Sequence, residues 1–440
     1  MNARTMSNSH RLATRILIGL LAGVLLGALT LWLGGSQPQW LTGARSFSTT
    51  VLDPIGRIFL HLLFFVVIPL VFASLALGVV QLGRLDRLGP LAGRTFALFA
   101  ANMAIGVALG LLLMNLFKPG DALSRETKDR LVSEYSSSAK ATMERREAQP
   151  ALNFATLVDM FLPRNLGKAL VNFEVLPLIV FALLVGAAGT QLSEERRRKL
   201  QEALEIVAEL MTRLVHYALL LAPVAVPAMV FSVIVKAGGD ILLALGFFVT
   251  LCAGAMAVHL FGTMSLWVKL LAKRSPVEFW RASRTILVTA FSTSSSNATL
   301  PTTMQVCREN LGISPSVTGF VIPLGATMNM SGTALYEGCV VLFIAQVYGV
   351  DLSLMQQVTL LGLAVLSAVA VAGIPGASLP LIAGLLIQFG IPPEGIAIIL
   401  GVDRILDMAR TTLNVAADVV TAAVVDRQTA AGTAAAANTD

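Results

Sequence analysis

Residues 401–420, GVDRILDMARTTLNVAADVV, carry Asp403, Arg404, Asp407, Arg410, Asn414 and Asp418 between apolar runs, GIAIIL on one side and VVTAAVV on the other. On a helix advancing about 100° per residue, with Asp403 at 0°, Asp407 falls at about 40° and Arg410 at about −20°. Asn414 falls at about 20° and Asp418 at about 60°, so five polar side chains share an arc of about 80°. Thr411 and Arg404 lie just beyond its edge, while Ile405, Leu406, Leu413 and Val420 point elsewhere. A charge at mid-bilayer costs at least about 2.5–3.5 kcal/mol, so such groups are normally paired and usually functional. Pairing Asp407 with Arg410 and Asp403 with Arg404 accounts for four charges and leaves Asn414 and Asp418 without a reason. The chemistry on offer is the holding of a charged solute or an ion.

A second polar group is the run STSSSNATLP at 292–301. Serines beside carboxylates suggest hydrolysis, which needs a base within reach of a serine. His10, His61, His216 and His259 lie on other segments, and no GxSxG elbow occurs. Cys252, Cys307 and Cys339 are isolated, without CxxC or Cys/His metal spacing, so neither a metal centre nor a disulfide framework is expected.

The elements that position these residues are membrane helices. Hydrophobic residues make up 55% of the chain and charged ones 13%, against about 25% charged in soluble domains, and mean hydropathy is +0.77. Apolar spans are expected near 14–34, 50–80, 94–117, 168–190, 205–235 and 240–271; the ten-residue alternation of a β-barrel is absent. The first is too long for a signal peptide and lacks a clear cleavage site, so it reads as a retained helix with its N-terminus in the cytoplasm. The connections RLDRLGPLAGR, SEERRRKL and AKRSPVEFWRASR are basic and belong inside. They account for the net charge of +6 without a nucleic-acid partner. Residues 118–167 read as a flexible exterior loop.

After residue 275 the pattern changes. Val277 to Phe291 spans roughly 22 Å as helix, too short to cross, and the polar run follows. Irregular backbone at membrane depth is tolerated inside protein or along a water-filled cavity, so a re-entrant hairpin is expected. A second follows at 354–390, where LMQQVTLLGLAVLSAVAV leads to the tip AGIPGASLP and LIAGLLIQFG returns. The tips rhyme, NATLP (297–301) with GASLP (376–380), and each hairpin precedes an interrupted helix, GATMNMSGT (325–333) or LNVAAD (413–418). Duplicated, interrupted apolar segments point to a transporter site at an inverted-repeat interface.

With these motifs in order, and with VIPLVFASLALG (67–78) and NMSGTALYE (329–337), the chain resembles the dicarboxylate/amino acid:cation symporters over nearly its whole length. The resemblance implies an all-α polytopic membrane protein of eight transmembrane helices plus two re-entrant hairpins, built of inverted repeats. It implies that 1–275 holds scaffold and trimerisation helices 1, 2, 4 and 5 with transport helices 3 and 6. Residues 276–428 would form the transport core, with a disordered tail at 429–440. It implies a homotrimer in the cell membrane that imports glutamate or aspartate with H+ or Na+ and uses no cofactor. Arg410 would clamp the side-chain carboxylate through its guanidinium fork, and Asp407 would receive the α-amino group. Thr333, Thr411 and Asn414 would add polar contacts. The tips, at Ser295, Ser296, Ile374 and Ala377, would hold the α-carboxylate near half-helix N-termini. Asp418, Asn414, Gly325, Thr327 and Asn329 would supply sodium ligands. The residues themselves favour an acidic amino acid, because the face offers one cation and more than one anion. A plain dicarboxylate, the alternative, would leave Asp407 facing no positive group; a neutral amino acid would not call for Arg410.

The sequence departs from the family pattern on two segments that bear on one ion site. The motif Asn-Met-Asp-Gly-Thr has Ser331 in place of its acid, and Phe99, Asn102 and Met103 stand where hydroxyl-bearing residues are usual. A hard cation needs several oxygens, so the third sodium site is expected to be lost. Glu337, a carboxyl group in an apolar helix, matches the proton carrier of proton-coupled relatives. The arginine kept at either the first tip or the last helix is here Arg404, with Ser294 at the tip. Proton coupling is the expected mode and sodium coupling its alternative.

Overall fold

The structure is a computed structural model that describes residues 3–36, 38–81, 85–124, 126–128, 162, 165–171, 175–371 and 378–437. Most of the expected exterior loop, the second tip at 372–377, and with it Ile374 and Ala377, lie outside the described residues.

No strand occurs among the described residues, which form helices in the order α1 (Ala3–Ser36), α2 (Pro38–Phe47), α3 (Asp53–Phe65), α4 (Val67–Gln81), α5 (Leu85–Phe117), α6 (Leu166–Val171), α7 (Val175–Thr190), α8 (Glu194–Ala237), α9 (Asp240–Val258), α10 (Met264–Leu270), α11 (Pro276–Thr293), α12 (Ser296–Glu309), α13 (Pro315–Met328), α14 (Ser331–Val347), α15 (Leu354–Ala370), α16 (Leu379–Gln388) and α17 (Ile396–Ala437). Among the described residues, seven helical stretches are long and apolar enough to cross a bilayer. The protein is a polytopic helical membrane protein.

The basic runs read as connections are largely helical among the described residues, although 272–275 do form a non-helical connection. α5 starts at Leu85, α8 at Glu194 and α11 at Pro276. Two acids fill the first turn of α8, where they favour the helix dipole. Pairs four residues apart, Glu195 with Lys199 at 2.6 Å and Glu209 with Arg213 at 2.5 Å, suit an exposed helical face. α17 likewise runs on to Ala437, so the stretch from 429 read as a disordered tail is helical that far.

Two packing groups emerge. α8 runs against α1, α3 and α4, and α4 packs on α7. Along α1, Gly19, Gly23 and Gly27 sit at a spacing of four and meet Pro223, Pro227 and Ile234 of α8. Only 18% of the apolar window of α1 is buried, whereas the window covering α13 and α14 is 94% buried and that of α17 is 89% buried. α14 and α17 therefore form the centre. α5, α9, α11, α13 and α14 pack on α17, and α15 lies against α14 and α5.

α11 ends at Ser294 in the left-handed region (φ 49°, ψ 35°), and α12 packs back on α11 after that turn. α15 and α16 also pack on each other. α13 stops at Met328, and Asn329 and Met330 leave helical geometry before α14 resumes at Ser331.

Candidate functional site

The break before α14 leaves backbone N–H groups without helical partners. Asn414 of α17 meets that need: its Oδ1 accepts from the N–H of Gly332 at 2.7 Å and of Thr333 at 3.2 Å. Its Nδ2 donates to Thr333 Oγ1 and to Met330 Sδ, each at 3.2 Å. The helices approach closely because residue 332 is glycine; a Cβ there would strike the carbonyl of Arg410.

On the same arc, Arg410 Nε donates to Asp407 Oδ1 at 2.8 Å, and Nη2 reaches the same oxygen at 2.7 Å. Nη1 donates to Ser378 Oγ at 2.7 Å and to Asp403 Oδ1 at 3.4 Å. The guanidinium lies 4.8 Å from the centre of the Tyr336 ring, a favourable cation–π distance. Tyr336 Oη in turn donates to Asp403 at 2.8 Å. Arg404 pairs with Asp407 at 3.2 Å, not with its neighbour Asp403, the partner that simple charge neutralisation offered. Adjacent residues on a helix point about 100° apart, and the i, i+3 partner is nearer. Arg410, Asp407 and Asp403 are all buried, so the cluster meets the rule that buried charges are paired.

A cavity beside this cluster is lined by Ser294, Ser296, Met330, Thr333, Val371, Ser378, Asp407, Arg410, Thr411 and Asn414. Of the expected substrate contacts, Ser296, Thr333, Asp407, Arg410, Thr411 and Asn414 come together here. Ser295 does not line it. Its hydroxyl caps α12, accepting from Ala298 N at 3.2 Å.

Three further polar clusters surround this centre. Asn329 Nδ2 donates to Asp418 Oδ1 at 2.9 Å, and Asp418 lies so close to Gly325 that a Cβ there would overlap its carboxylate. Thr327 is exposed, with its hydroxyl donated to Leu324 O. Glu337, fully buried, accepts from Ser367 of α15 at 2.7 Å. Ser331 Oγ donates to Asn102 Oδ1 at 2.7 Å, and His259 Nε2 lies 3.2 Å from both. Phe99 and Met103, one helical turn or less from Asn102, are buried.

Sequence reasoning missed Ser378, Tyr336 and His259 as members of these clusters, whereas Asp403 lies on the arc it identified. A signal existed for His259 as well, since a histidine in an apolar span needs a polar partner.

Helices of a multi-span membrane protein here enclose a site with paired charges of both signs, an arrangement suited to holding an ionic solute. The chain belongs to the Sodium:dicarboxylate symporter family, whose model matches residues 12–428; that is a family of transporters, not enzymes. It is 32% identical to the proton/sodium-glutamate symport protein of Geobacillus stearothermophilus over 94% of both chains. It is also 32% identical to the proton/glutamate-aspartate symporter of Escherichia coli, over 94% of this chain and 92% of that one. The C4-dicarboxylate transport protein of Bacillus subtilis is 27% identical over 82% of this chain and 84% of its own length.

Proposed function

We propose that the protein is a secondary active symporter that imports the acidic amino acids glutamate and aspartate, coupled mainly to protons, with the third sodium site lost. The observation that carries this reading is the cavity wall on which Arg410 and Asp407 stand side by side among hydroxyl and amide groups. An acidic amino acid presents one carboxylate for Arg410, an ammonium for Asp407 and a second carboxylate for the serine tip. Binding exchanges the Ser378 hydroxyl at Arg410 Nη1 for a substrate oxygen, a charge-assisted bond of the stronger kind. Relatives bearing glutamate and aspartate symport in their names support the substrate class.

Proton coupling is supported by Glu337, a buried carboxyl group whose partner is a hydroxyl rather than a cation. It is also supported by Ser331, which bonds to Asn102 and His259 where a carboxylate ligand would otherwise stand. Sodium coupling remains the second reading because Asp418, Asn329 and Gly325 converge. A C4-dicarboxylate is named for the Bacillus subtilis relative, and a dicarboxylate in the family's own description, but it offers nothing to Asp407.

The architecture that goes with this function is eight transmembrane helices and two re-entrant hairpins, α11–α12 and α15–α16, related as inverted repeats. In this reading 276–428 is the moving core, the earlier helices are mainly scaffold for a homotrimer, and the N-terminus faces the cytoplasm of a cell-membrane protein. Proteoliposomes decide the coupling ion. Labelled aspartate is expected to accumulate under an inward pH gradient without sodium; uptake strictly dependent on sodium and indifferent to pH would overturn proton coupling.

A further inference from the structure

Five side chains on α11 take no part in the solute site. With Val277 at 0°, Arg281 falls at about 40°, Arg284 at about −20°, Val288 at about 20° and Phe291 at about −40°, one face about 80° wide. All five are exposed, although α11 packs on α12 and α17. Neither guanidinium makes a hydrogen bond or ion pair among the described residues. On α8, by contrast, Arg197, Arg198, Lys199 and Arg213 each pair with a glutamate of their own helix. Arg281 and Arg284 border a cleft of about 340 Å³ with Glu278, Thr285 and Asn310, at the open end of the hairpin where α12 stops. Glu278 belongs to the first turn of α11, where its charge favours the helix dipole. Measured back along the helix from Ser294, which lines the central cavity, Arg284 lies roughly 15 Å away and Arg281 roughly 20 Å. Half the hydrocarbon core is about 15 Å thick, and the headgroup layer ends about 20–22 Å from the bilayer centre. With the tip at mid-bilayer, the two arginines therefore stand at the level of lipid phosphates, and Val288 and Phe291 at the level of acyl chains.

We infer that this face binds an anionic phospholipid, with its phosphate between Arg281 and Arg284 and an acyl chain laid along Val288 and Phe291. Forked guanidinium donors suit phosphate oxygens, and basic pockets on the cytoplasmic side of a membrane take anionic headgroups. The two arginines exceed Glu278 by one positive charge, which matches a single phosphodiester. A soluble phosphate would leave the apolar half of the face bare. The inference rests on α11–α12 being a re-entrant hairpin with its tip at the bilayer centre, and it adds a lipid site apart from the solute cavity.

The test titrates phosphatidylglycerol into the full chain, stripped of lipid in detergent, and reads bound lipid by native mass spectrometry and the thermal midpoint by size exclusion. Phosphatidylcholine and glycerol 3-phosphate are the comparison probes. Wild type is expected to retain phosphatidylglycerol and to gain several degrees, with no gain from either comparison probe. The double variant Arg281→Gln, Arg284→Gln is expected to bind it about tenfold more weakly or worse. Arg198→Gln with Lys199→Gln removes the same charge from α8 and is expected to bind as wild type does. Equal binding by the two double variants would overturn the site. So would an equal response to glycerol 3-phosphate, which marks a soluble phosphate, or a change of oligomer in the α11 variant alone without lipid, which marks a second copy of the chain. Depth is read separately by a fluorophore on Arg284→Cys, the three native cysteines being buried, with lipids spin-labelled at the headgroup or at the chain end as quenchers. Quenching from the chain end would fail the hairpin reading and this inference with it. Quenching from the headgroup, with equal binding by both double variants, would fail the lipid site alone.

Discussion

Arg410 holds four partners at once, Asp407, Asp403, Ser378 and the Tyr336 ring, so its fork is fixed before any solute arrives. Such preorganisation lowers the ordering cost of binding. Arg410→Cys is expected to reduce kcat/KM for aspartate by roughly 100-fold or more, as for a buried charge that loses its partner, and to admit neutral amino acids. Uptake of labelled aspartate and serine measures both, and aspartate transport of unchanged affinity would refute the clamp. Glu337 sits one residue from Tyr336 on α14, bonded to Ser367 of α15. Glu337→Gln keeps a bonding group but no exchangeable charge. Net accumulation driven by a pH gradient is expected to vanish, while exchange of labelled for unlabelled aspartate continues; gradient-driven accumulation at the wild-type level would remove Glu337 from coupling. The arc on α17 was legible because helical period alone brings Asp403, Asp407, Arg410 and Asn414 together. The partners on other helices were not: Tyr336 is 67 residues from Asp403 and Asn102 is 229 from Ser331. No local period encodes such a pairing.

Among the elements, α1 and α8 meet through small residues, as helices do where lipid supplies no hydrophobic drive. A Cβ at Gly23 would stand 2.7 Å from the Pro227 carbonyl oxygen. Gly23→Leu is expected to lower the thermal midpoint in detergent by several degrees and to leave KM for aspartate unchanged; a changed KM with an intact midpoint would tie α1 to the site. Gly332→Ala is its opposite case. The added methyl strikes the backbone of α17 beside Arg410, so substrate binding by isothermal calorimetry is expected to fail even in protein that elutes normally, and wild-type affinity would contradict that close approach. The existence and order of the spans were readable from hydropathy. Their ends were not, because α5, α8 and α11 extend beyond the apolar segments into charged residues, which in α8 pair at spacings of three and four. A basic run reads the same in sequence whether it is a loop or an extra helical turn.

For the whole molecule, chemical cross-linking in membranes is expected to give a species of three times the 46.5 kDa chain mass; a single-chain band under saturating cross-linker would refute the trimer. The charge-balanced cluster has a further consequence for the molecule in an energised membrane. Asp403, Arg404, Asp407 and Arg410 sum to zero, and carrying one net charge through 100 mV is worth about 2.3 kcal/mol. A core that shifts through the bilayer with this quartet intact therefore does no electrical work on it. The voltage dependence of transport is left to the solute, its coupling ions, and the carboxyl groups of Asp418 and Glu337.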